Sequence, residues 1–297
     1  MTQAKIIPRI FGGLGNQLFI YAAARRLALV SNAEMVLDDV SGFIHDSMYN
    51  RHYQLIHFRI PCRKATAAER LEPFPRVRRY LKRLWNASRR FERRRYLRQQ
   101  GDDFDSRLLH LKPCGDLYLE GYWQSEDYFK DVEATIRQDL QIRPPADGVN
   151  QVLGVRIRSH TAVAVHVRFS DELQAGGVNN ALGDYYQRAI AEMERRIPCA
   201  HYYLFSNFPV AARNHIPLSE ARVTLVDHNH GDALAYADLW LMTQCRHFII
   251  PNSTFSWWGA WLGNFSKKIV IAADIVRFEP TSSWRAKGLL PSQWELL

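Results

Sequence analysis

Residues 247–260 read HFIIPNSTFSWWGA, and this stretch decides the fold of the second half of the chain. An apolar run comes first, a proline and three polar residues follow, and an aromatic segment comes next. This order is typical of a buried strand that leads through a short turn into a helix. One interpretation is that Ser253 caps that helix. The alternative is an anion site whose walls are Trp257, Trp258 and Trp261, although core packing is expected for at least one of them.

The same alternation of strand and helix patterns runs through most of the sequence. In the second half, the predicted strands are 161–169, 201–207, 222–228, 247–251 and 267–273, and the predicted helices are 183–197, 232–245 and 254–264. In the first half, the predicted strands are 4–11, 34–38 and 116–121, and the predicted helices are 16–30 and 125–140. Alternating strands and helices favour α/β domains with parallel sheets. We therefore predict two Rossmann-like domains, 1–150 and 151–297, with a cleft between them and a linker near 143–148.

Composition excludes several classes of protein. The 297 residues are 47% hydrophobic, and no run of about 18 apolar residues predicts a membrane-spanning helix. The first residues lack the pattern of a secretory signal. Four cysteines are scattered without metal-ligand spacing, which is typical of reduced cysteines in a cytosolic protein. We expect a cytoplasmic protein with no metal site.

The basic excess of the chain lies in one segment. Residues 76–98 contain eleven Arg or Lys and one acid, which leaves 28 basic and 29 acidic residues elsewhere. Apolar residues recur there at helical spacing, so we predict a basic helix that is inserted in the first domain. Three interpretations stay open. The helix is a solvated face over the core, it lies on an anionic membrane surface, or it contacts nucleic acid, for which no binding motif is present.

Three polar motifs follow predicted strands. The first, FGGLGNQ at 11–17, joins a strand to a helix. Gly13 and Gly15 would allow close backbone approach to a ligand, and a helix start offers free N–H groups to an anion. Leu18 stands where the dinucleotide fingerprint has its third glycine. A tight turn without any ligand is the equal alternative.

The second motif, HVRFSDE at 166–172, ends an apolar strand. His166 and Arg168 alternate to one side of that strand. An arginine there can bind a phosphate through its paired N–H donors, and Asp171 and Glu172 lie just beyond it. The alternative is an ordinary strand end with a surface salt bridge.

The third motif joins the opening stretch to the helix before it. Asp238 lies among apolar neighbours in YADLWLM, so it is either near the surface or placed for a purpose. Hydroxyls from Ser253, Thr254 and Ser256 gather at the start of the following helix. Capping and anion binding use the same free N–H groups, so the pattern alone does not separate them.

The motifs together resemble a known family. GGLGNQLFIYAAARRLA at 12–28, then HVRxxD, DYYQRAI and YYLFSN, and finally DLWLMTQCRHFIIPNSTFSWWGAWL at 238–262 resemble the bacterial α-1,2-fucosyltransferases of glycosyltransferase family 11. The resemblance includes both ends of the chain in the right order, whereas 40–115 carries none of it.

This resemblance implies a GT-B-like fold whose C-terminal domain holds GDP-β-L-fucose, and an inverting transfer without a metal or other cofactor. It implies Arg168 and the hydroxyls of the third motif on the pyrophosphate, Asp238 near guanine, and Asn16 facing the donor. The base is sought at Asp171 or Glu172. The full set of donor-binding candidates is Gly13, Gly15, Asn16, His166, Arg168, Asp238, Asn252, Ser253, Thr254 and Ser256.

The sequence departs from the family where specificity is decided. The usual H-x-R-R-G-D-Y reads HVRFSDE, and the usual FSDD reads FSNF. The expected function is transfer of L-fucose to the 2-hydroxyl of a terminal galactose on a surface glycan. Three alternatives are kept: another GDP-6-deoxyhexose donor such as GDP-colitose, a nucleotide-sugar-binding protein without activity, and a dinucleotide-dependent redox enzyme, against which the missing third glycine argues. The basic segment adds the hypothesis of peripheral contact with the inner face of the membrane.

Overall fold

The computed structural model describes residues 3–47, 49–169, 181, 183–274 and 289–297. These residues form two compact units. The first comprises the described residues up to Gln141 together with Leu289 and Leu290, and the second comprises those between 142 and 274 and Pro291–Leu297. The observed division precedes the predicted boundary at 150 because a helix over Gly148–Ser159 packs within the second unit.

The first unit is built on one parallel sheet. Its strands are β1 (Lys5–Pro8), β2 (Glu34–Leu37), β3 (Arg63–Lys64), β4 (Tyr96–Arg98) and β5 (Leu117–Glu120). Its helices are α1 (Leu14–Val30), α2 (Pro75–Ala87) and α3 (Glu133–Asp139). The strand order is β3-β2-β1-β5-β4, with β1 central and Ile7 opposite Tyr118. The predicted helix at 125–140 is shorter than expected, because 3₁₀ turns precede α3.

The basic segment 76–98 is a helix only in its first half. α2 ends at Ala87, a 3₁₀ turn covers Phe91–Arg93, and β4 then pairs in parallel with β5. Tyr96 and Leu97 are buried in that strand. The prediction of one helix through residue 98 is therefore wrong, because burial and strand pairing decide the structure of its last residues.

The second unit contains a sheet of six parallel strands. Its strands are β6 (Ala162–Val167), β7 (His201–Ser206), β8 (Val223–Val226), β9 (His247–Ile250), β10 (Val270–Ala272) and β11 (Glu295–Leu296). Its helices are α4 (Gly148–Ser159), α5 (Tyr185–Arg196), α6 (Pro209–Arg213), α7 (Ala235–Thr243) and α8 (Thr254–Leu262). The order is β11-β10-β9-β6-β7-β8, so the wholly buried β6 lies inside the sheet. Within the described parts of both units, no helix has the length and apolarity needed to cross a bilayer.

The tryptophans of the opening stretch are core residues. Trp257 and Trp258 are fully buried and Trp261 is 3% exposed. Ring centroids of Trp257 and Trp258 are 5.0 Å apart, and Trp294 lies 5.4 Å from Trp257. Gly259 lets α8 approach α7, since a Cβ there would lie 2.8 Å from Cε of Met242. The prediction of an aromatic-walled anion site is wrong, because all three rings pack inside the unit.

Truncating one tryptophan of this cluster should weaken the second unit strongly. Trp257→Ala should lower the free energy of unfolding by about 3–5 kcal/mol, since it removes a fully buried ring and leaves a cavity. Urea denaturation followed by circular dichroism measures the change. The matched control is Trp85→Ala, because Trp85 is 59% exposed, and it should change stability by about 0.5 kcal/mol or less. Equal midpoints for the two variants would contradict this assignment of the cluster.

Candidate functional site

Polar residues follow four neighbouring strands of the second unit. β9, β6, β7 and β8 are adjacent and parallel, so their carboxyl ends share one edge of the sheet. Arg168 follows β6, Asn207 follows β7, Asn229 lies three residues past β8, and Ser253 three residues past β9. Ligands of open α/β sheets bind at this edge. The edge is therefore the candidate site of this unit.

His166 occupies the end of β6 as a neutral, buried imidazole. His166 is 4% exposed, and within the described part of the chain its Nδ1 atom has no hydrogen-bond partner. Burial, and secondly the charge of Arg168, lower its pKa to about 3. The ring of Phe255, in the first turn of α8, lies 5.5 Å away. This contact brings the end of β6 and the start of α8 together, but His166 brings no positive charge to an anion.

The two places where the sequence departs from the family pattern contact each other. The backbone N–H of Phe169 donates to Oδ1 of Asn207 at 3.0 Å, and Nδ2 of Asn207 donates to the Phe169 carbonyl at 3.1 Å. The Phe169 ring meets the ring of Phe208 edge-on at 6.0 Å. Phe169 and the Asn207-Phe208 pair therefore form one packing unit. It fixes the backbone immediately after Arg168.

The start of α8 is not capped by the residue expected to cap it. Ser253 occupies the N-cap with φ −153° and ψ 120°, but its side chain makes no capping hydrogen bond to the described residues. The hydroxyl of Ser256 is fully buried and donates to the Ser253 carbonyl at 3.2 Å. The Ser256 hydroxyl thus has a partner at the start of its own helix, and its predicted role in donor binding stays a prediction. Asn252 and Thr254 are half-buried beside Ser253.

Asp238 is the centre of a polar network at the other end of this edge. Its Oδ1 accepts from Nδ2 of Asn229 at 2.8 Å. The side chains of Asn229 and Asn150 exchange two hydrogen bonds of 2.9 Å, and Asp147 caps α4 by accepting from the Asn150 N–H. His228 Nε2 lies 3.1 Å from Asn150 Oδ1. The network joins α4, the loop after β8 and α7.

Burial raises the pKa of the Asp238 carboxyl to about 7, and the hydrogen bond from Asn229 lowers it only in part. The residue as a whole is half-buried, so part of Asp238 still reaches solvent. A ligand that donates N–H groups would favour the charged form.

Sequence reasoning missed the partners of Asp238. Asn150 and Asn229 are 79 positions apart, and no local pattern joins them. One signal was available, since His228 is the last residue of the predicted strand 222–228 and Asn229 directly follows it, and polar residues at such ends face the ligand edge. Asp171 and Glu172 lie outside the described residues, so the structure says nothing of either.

The first motif forms a strand-to-helix turn in the first unit. Gly12, with φ +76°, is the glycine that needs left-handed backbone, whereas Gly13 is extended at the N-cap of α1 and Gly15 is buried in its first turn. Asn16 accepts from Nε2 of Gln124 at 2.8 Å. Gly15 lies in the first turn of α1, where backbone N–H groups have no partner within the helix, so the predicted approach of a ligand to its backbone stays a prediction.

Gln17 ties this turn to the next loop. Its side chain donates to the carbonyls of Gly12 and His52 and accepts from the N–H of Gln54. The guanidinium of Arg51 approaches Gly13, with Cζ 3.9 Å from the position of a Cβ there. A cation beside a helix N-terminus is a second feature that the sequence did not reveal. Among the residues that the structure describes, no group of three or more His, Cys, Asp or Glu is suited to hold a metal ion.

Comparison with known proteins gives a consistent result. The family model for glycosyl transferase family 11 matches residues 75–283, more than two thirds of the chain. An alpha-1,2-colitosyltransferase of Escherichia coli is 27% identical over 281 residues, which cover 90% of each chain. The O-antigen biosynthesis glycosyltransferase WbnK of Escherichia coli is 28% identical over 285 residues, or 88% of this chain and 91% of that protein.

Among solved structures, a mutant of Arabidopsis thaliana FUT1 in complex with GDP is similar, with a TM-score of 0.52 and 11% identity. The match covers 91% of this chain and 70% of that one. At this identity the likeness concerns the fold alone. Together with the two parallel sheets it confirms the predicted GT-B-like class of two Rossmann-like domains.

The raised pKa of Asp238 has a measurable consequence for stability. In the unfolded chain this carboxyl has a pKa of about 3.9. Between that pH and about 7 the folded protein holds more protons, so its free energy of unfolding falls as pH rises through this window. Asp238→Asn cannot ionise and should lose this dependence. The melting temperature of the variant, relative to wild type, should therefore be higher at pH 8 than at pH 5. An equal difference at both pH values would contradict the raised pKa.

Proposed function

We propose that this chain, which belongs to glycosyl transferase family 11, transfers L-fucose from GDP-β-L-fucose to the 2-hydroxyl of a terminal galactose on a glycan. One observation carries the proposal. The half-buried Asp238 lies at one end of the carboxyl edge of the second sheet. At the other end lies the start of α8, whose N-cap side chain makes no capping hydrogen bond to the described residues, and Arg168 follows the adjacent strand β6. This distribution of charge is complementary to guanosine diphosphate.

The guanine base suits the Asp238 end. The Watson–Crick edge of guanine has two neighbouring N–H donors, and a carboxylate is an acceptor-only group that can bind both. Asn229 holds one carboxylate oxygen and so fixes its orientation. Adenine lacks this pair of donors, which would leave the buried acceptor without a partner and so favours guanine.

The diphosphate suits the other end. β6 and β7 separate β8 from β9, so the ends of β8 and β9 are about 14 Å apart. An extended nucleoside diphosphate spans a distance of this order. The first N–H groups of α8, the hydroxyls of Ser253 and Thr254 and the guanidinium of Arg168 are the proposed phosphate ligands. His166 supports them by packing on Phe255 and not by charge, because it is neutral.

The transfer then proceeds by displacement at the anomeric carbon. The acceptor oxygen forms a bond to C1 of the sugar on the face opposite the diphosphate. The bond from C1 to the phosphate oxygen breaks, and GDP leaves with the electron pair. Arg168 and the amides of α8 stabilise the charge that develops on the diphosphate. A carboxylate takes the hydroxyl proton, and Asp171 and Glu172 remain the proposed candidates.

A second donor is kept because a relative that covers 90% of this chain is named for colitosyl transfer. Colitose is fucose without its 3-hydroxyl, so a site without a hydrogen bond to that hydroxyl would accept either sugar. In this sequence the packing of Phe169 with Phe208 replaces the polar residues of the usual motif. This replacement supports GDP-colitose as the alternative donor.

A turnover assay with GDP-fucose, GDP-colitose and a panel of β-galactosides tests the function. We expect an α-1,2-linked product, a higher kcat/KM for GDP-fucose, and full activity in EDTA. The reason for the last is that Arg168 and the α8 amides are proposed to neutralise the diphosphate in place of a metal. A higher kcat/KM for GDP-colitose than for GDP-fucose would contradict the proposed donor and support GDP-colitose in its place. Binding of GDP without turnover would support the non-catalytic alternative. Loss of activity in EDTA that Mg²⁺ or Mn²⁺ restores would contradict the metal-free proposal.

Removing the guanidinium should affect chemistry more than folding. Arg168→Ala should lower the transfer rate by about 100- to 1000-fold, because one charge-assisted contact to the leaving group is lost. Arg168→Lys should recover only part of the rate, since one ammonium cannot make the paired contact. The matched control is Arg188→Ala in α5, whose arginine pairs with Asp184 at the surface, and its rate should stay within about twofold of wild type. A similar rate for Arg168→Ala and the control would contradict the assignment.

A further inference from the structure

α2 exposes its apolar side chains to solvent. We call these residues the apolar stripe, and each is more than half exposed: Phe74, Val77, Tyr80, Leu81, Leu84 and Trp85. They recur at intervals of three and four positions, so they share one face of the helix. A soluble protein usually turns such a face towards its core. Here the face is directed outwards.

The face that α2 turns inwards is polar. Asn86 is 2% exposed, its Nδ2 donates to the Lys82 carbonyl at 2.6 Å, and its Oδ1 accepts from the N–H of Arg95 at 2.7 Å. Arg79 and Arg83 lie on the same side and are half-buried. α2 also packs against β4. The outward direction of the apolar stripe is therefore fixed by specific contacts of the opposite face.

Basic residues flank the apolar stripe on both sides. At 100° per residue, Arg76 and Arg83 lie along one border, and Arg78 and Lys82 along the other. The whole segment 76–98 has eleven basic residues and one acid. Trp85 also carries the guanidinium of Arg89 over its ring at 3.5 Å. An apolar face bordered by cations on both sides is the pattern of a helix that lies in the surface of an anionic bilayer.

We propose that α2 docks this protein on an anionic phospholipid bilayer, with the apolar stripe in the interface and the flanking cations against the headgroups. A helix of this length gives a contact of about 20 Å. Charge decides between a bilayer and a second copy of the chain, because two copies would oppose two strongly basic segments. This inference does not depend on the identity of the donor or acceptor.

A cavity beside α2 suits a phosphate group. Its volume is about 370 Å³, and Arg83, Arg94 and Arg98 contribute to its lining together with Tyr96 and Gln99. The described lining residues include no carboxylate. Guanidinium groups bind phosphate through paired N–H donors. The cavity adjoins the border of the apolar stripe, since Arg83 belongs to both, and is the proposed place of one headgroup phosphate.

Vesicle flotation tests the apolar contribution. Wild type should bind vesicles of phosphatidylglycerol and phosphatidylcholine. The affinity for these vesicles should fall by roughly tenfold or more in the triple variant Leu81→Ser, Leu84→Ser, Trp85→Ser. The matched control changes Val149, Val152 and Val155 of α4 to serine, since these are equally exposed apolar residues of the second unit. Control binding should equal wild type. Equal binding by the α2 variant and wild type would overturn the proposal.

A charge variant tests the lipid class. Arg76→Gln, Arg78→Gln and Lys82→Gln should each weaken binding about fivefold, and added salt should weaken the wild type in the same direction. Vesicles of phosphatidylcholine alone should bind little. Equal binding to neutral vesicles would overturn the anionic specificity. If the wild type binds none of these vesicles, the apolar stripe has another partner. The same follows if the wild type forms a dimer and the α2 serine variant does not. Transfer to a soluble acceptor should be normal in every variant.

Discussion

The buried packing of Trp257 and Trp258 of α8 is the constraint on which the proposed donor site depends. These rings anchor a short helix whose first turn would otherwise be free to move, since its N-cap side chain makes no capping bond to the described residues. The anchored helix brings Phe255 against His166 and so joins the end of β9 to the end of β6. Apolar packing beneath the helix holds its first turn in place, and the amide groups of that turn are the proposed phosphate ligands.

A second constraint acts at the opposite end of the same edge. Asp238 is confined by protein atoms, and its partner Asn229 is held in turn by Asn150. Such a carboxylate costs free energy when it is ionised without a donor, and a base with two N–H groups removes that cost. The two ends thus have opposite preferences for charge, and in the proposed complex this asymmetry would give a nucleotide one orientation along the edge.

Local patterns predicted most of the second unit, because strands such as β6 and β9 are continuous apolar runs and α5 has a clear helical period. These patterns failed where burial determines which way a side chain faces. Pattern alone could not show that every tryptophan of α8 faces inwards, or that Ser256 bonds within its own helix. The many basic residues of 76–98 favoured a helix there, so β4 was not predicted. Contacts between residues far apart in sequence, such as Asn150 with Asn229, produce no local sequence pattern. The coupling of Phe169 to Asn207 was equally invisible, although both departures from the family pattern were evident in the sequence.

In the proposed donor complex, one sheet edge of the second unit holds guanine at Asp238 and a diphosphate at the start of α8. A crystal structure of the complex with GDP tests it most directly. We predict that the guanine N–H donors contact the Asp238 carboxylate, and that the phosphates contact the guanidinium of Arg168 and the first amides of α8. A base bound away from Asp238, or phosphates held by other residues, would contradict the account.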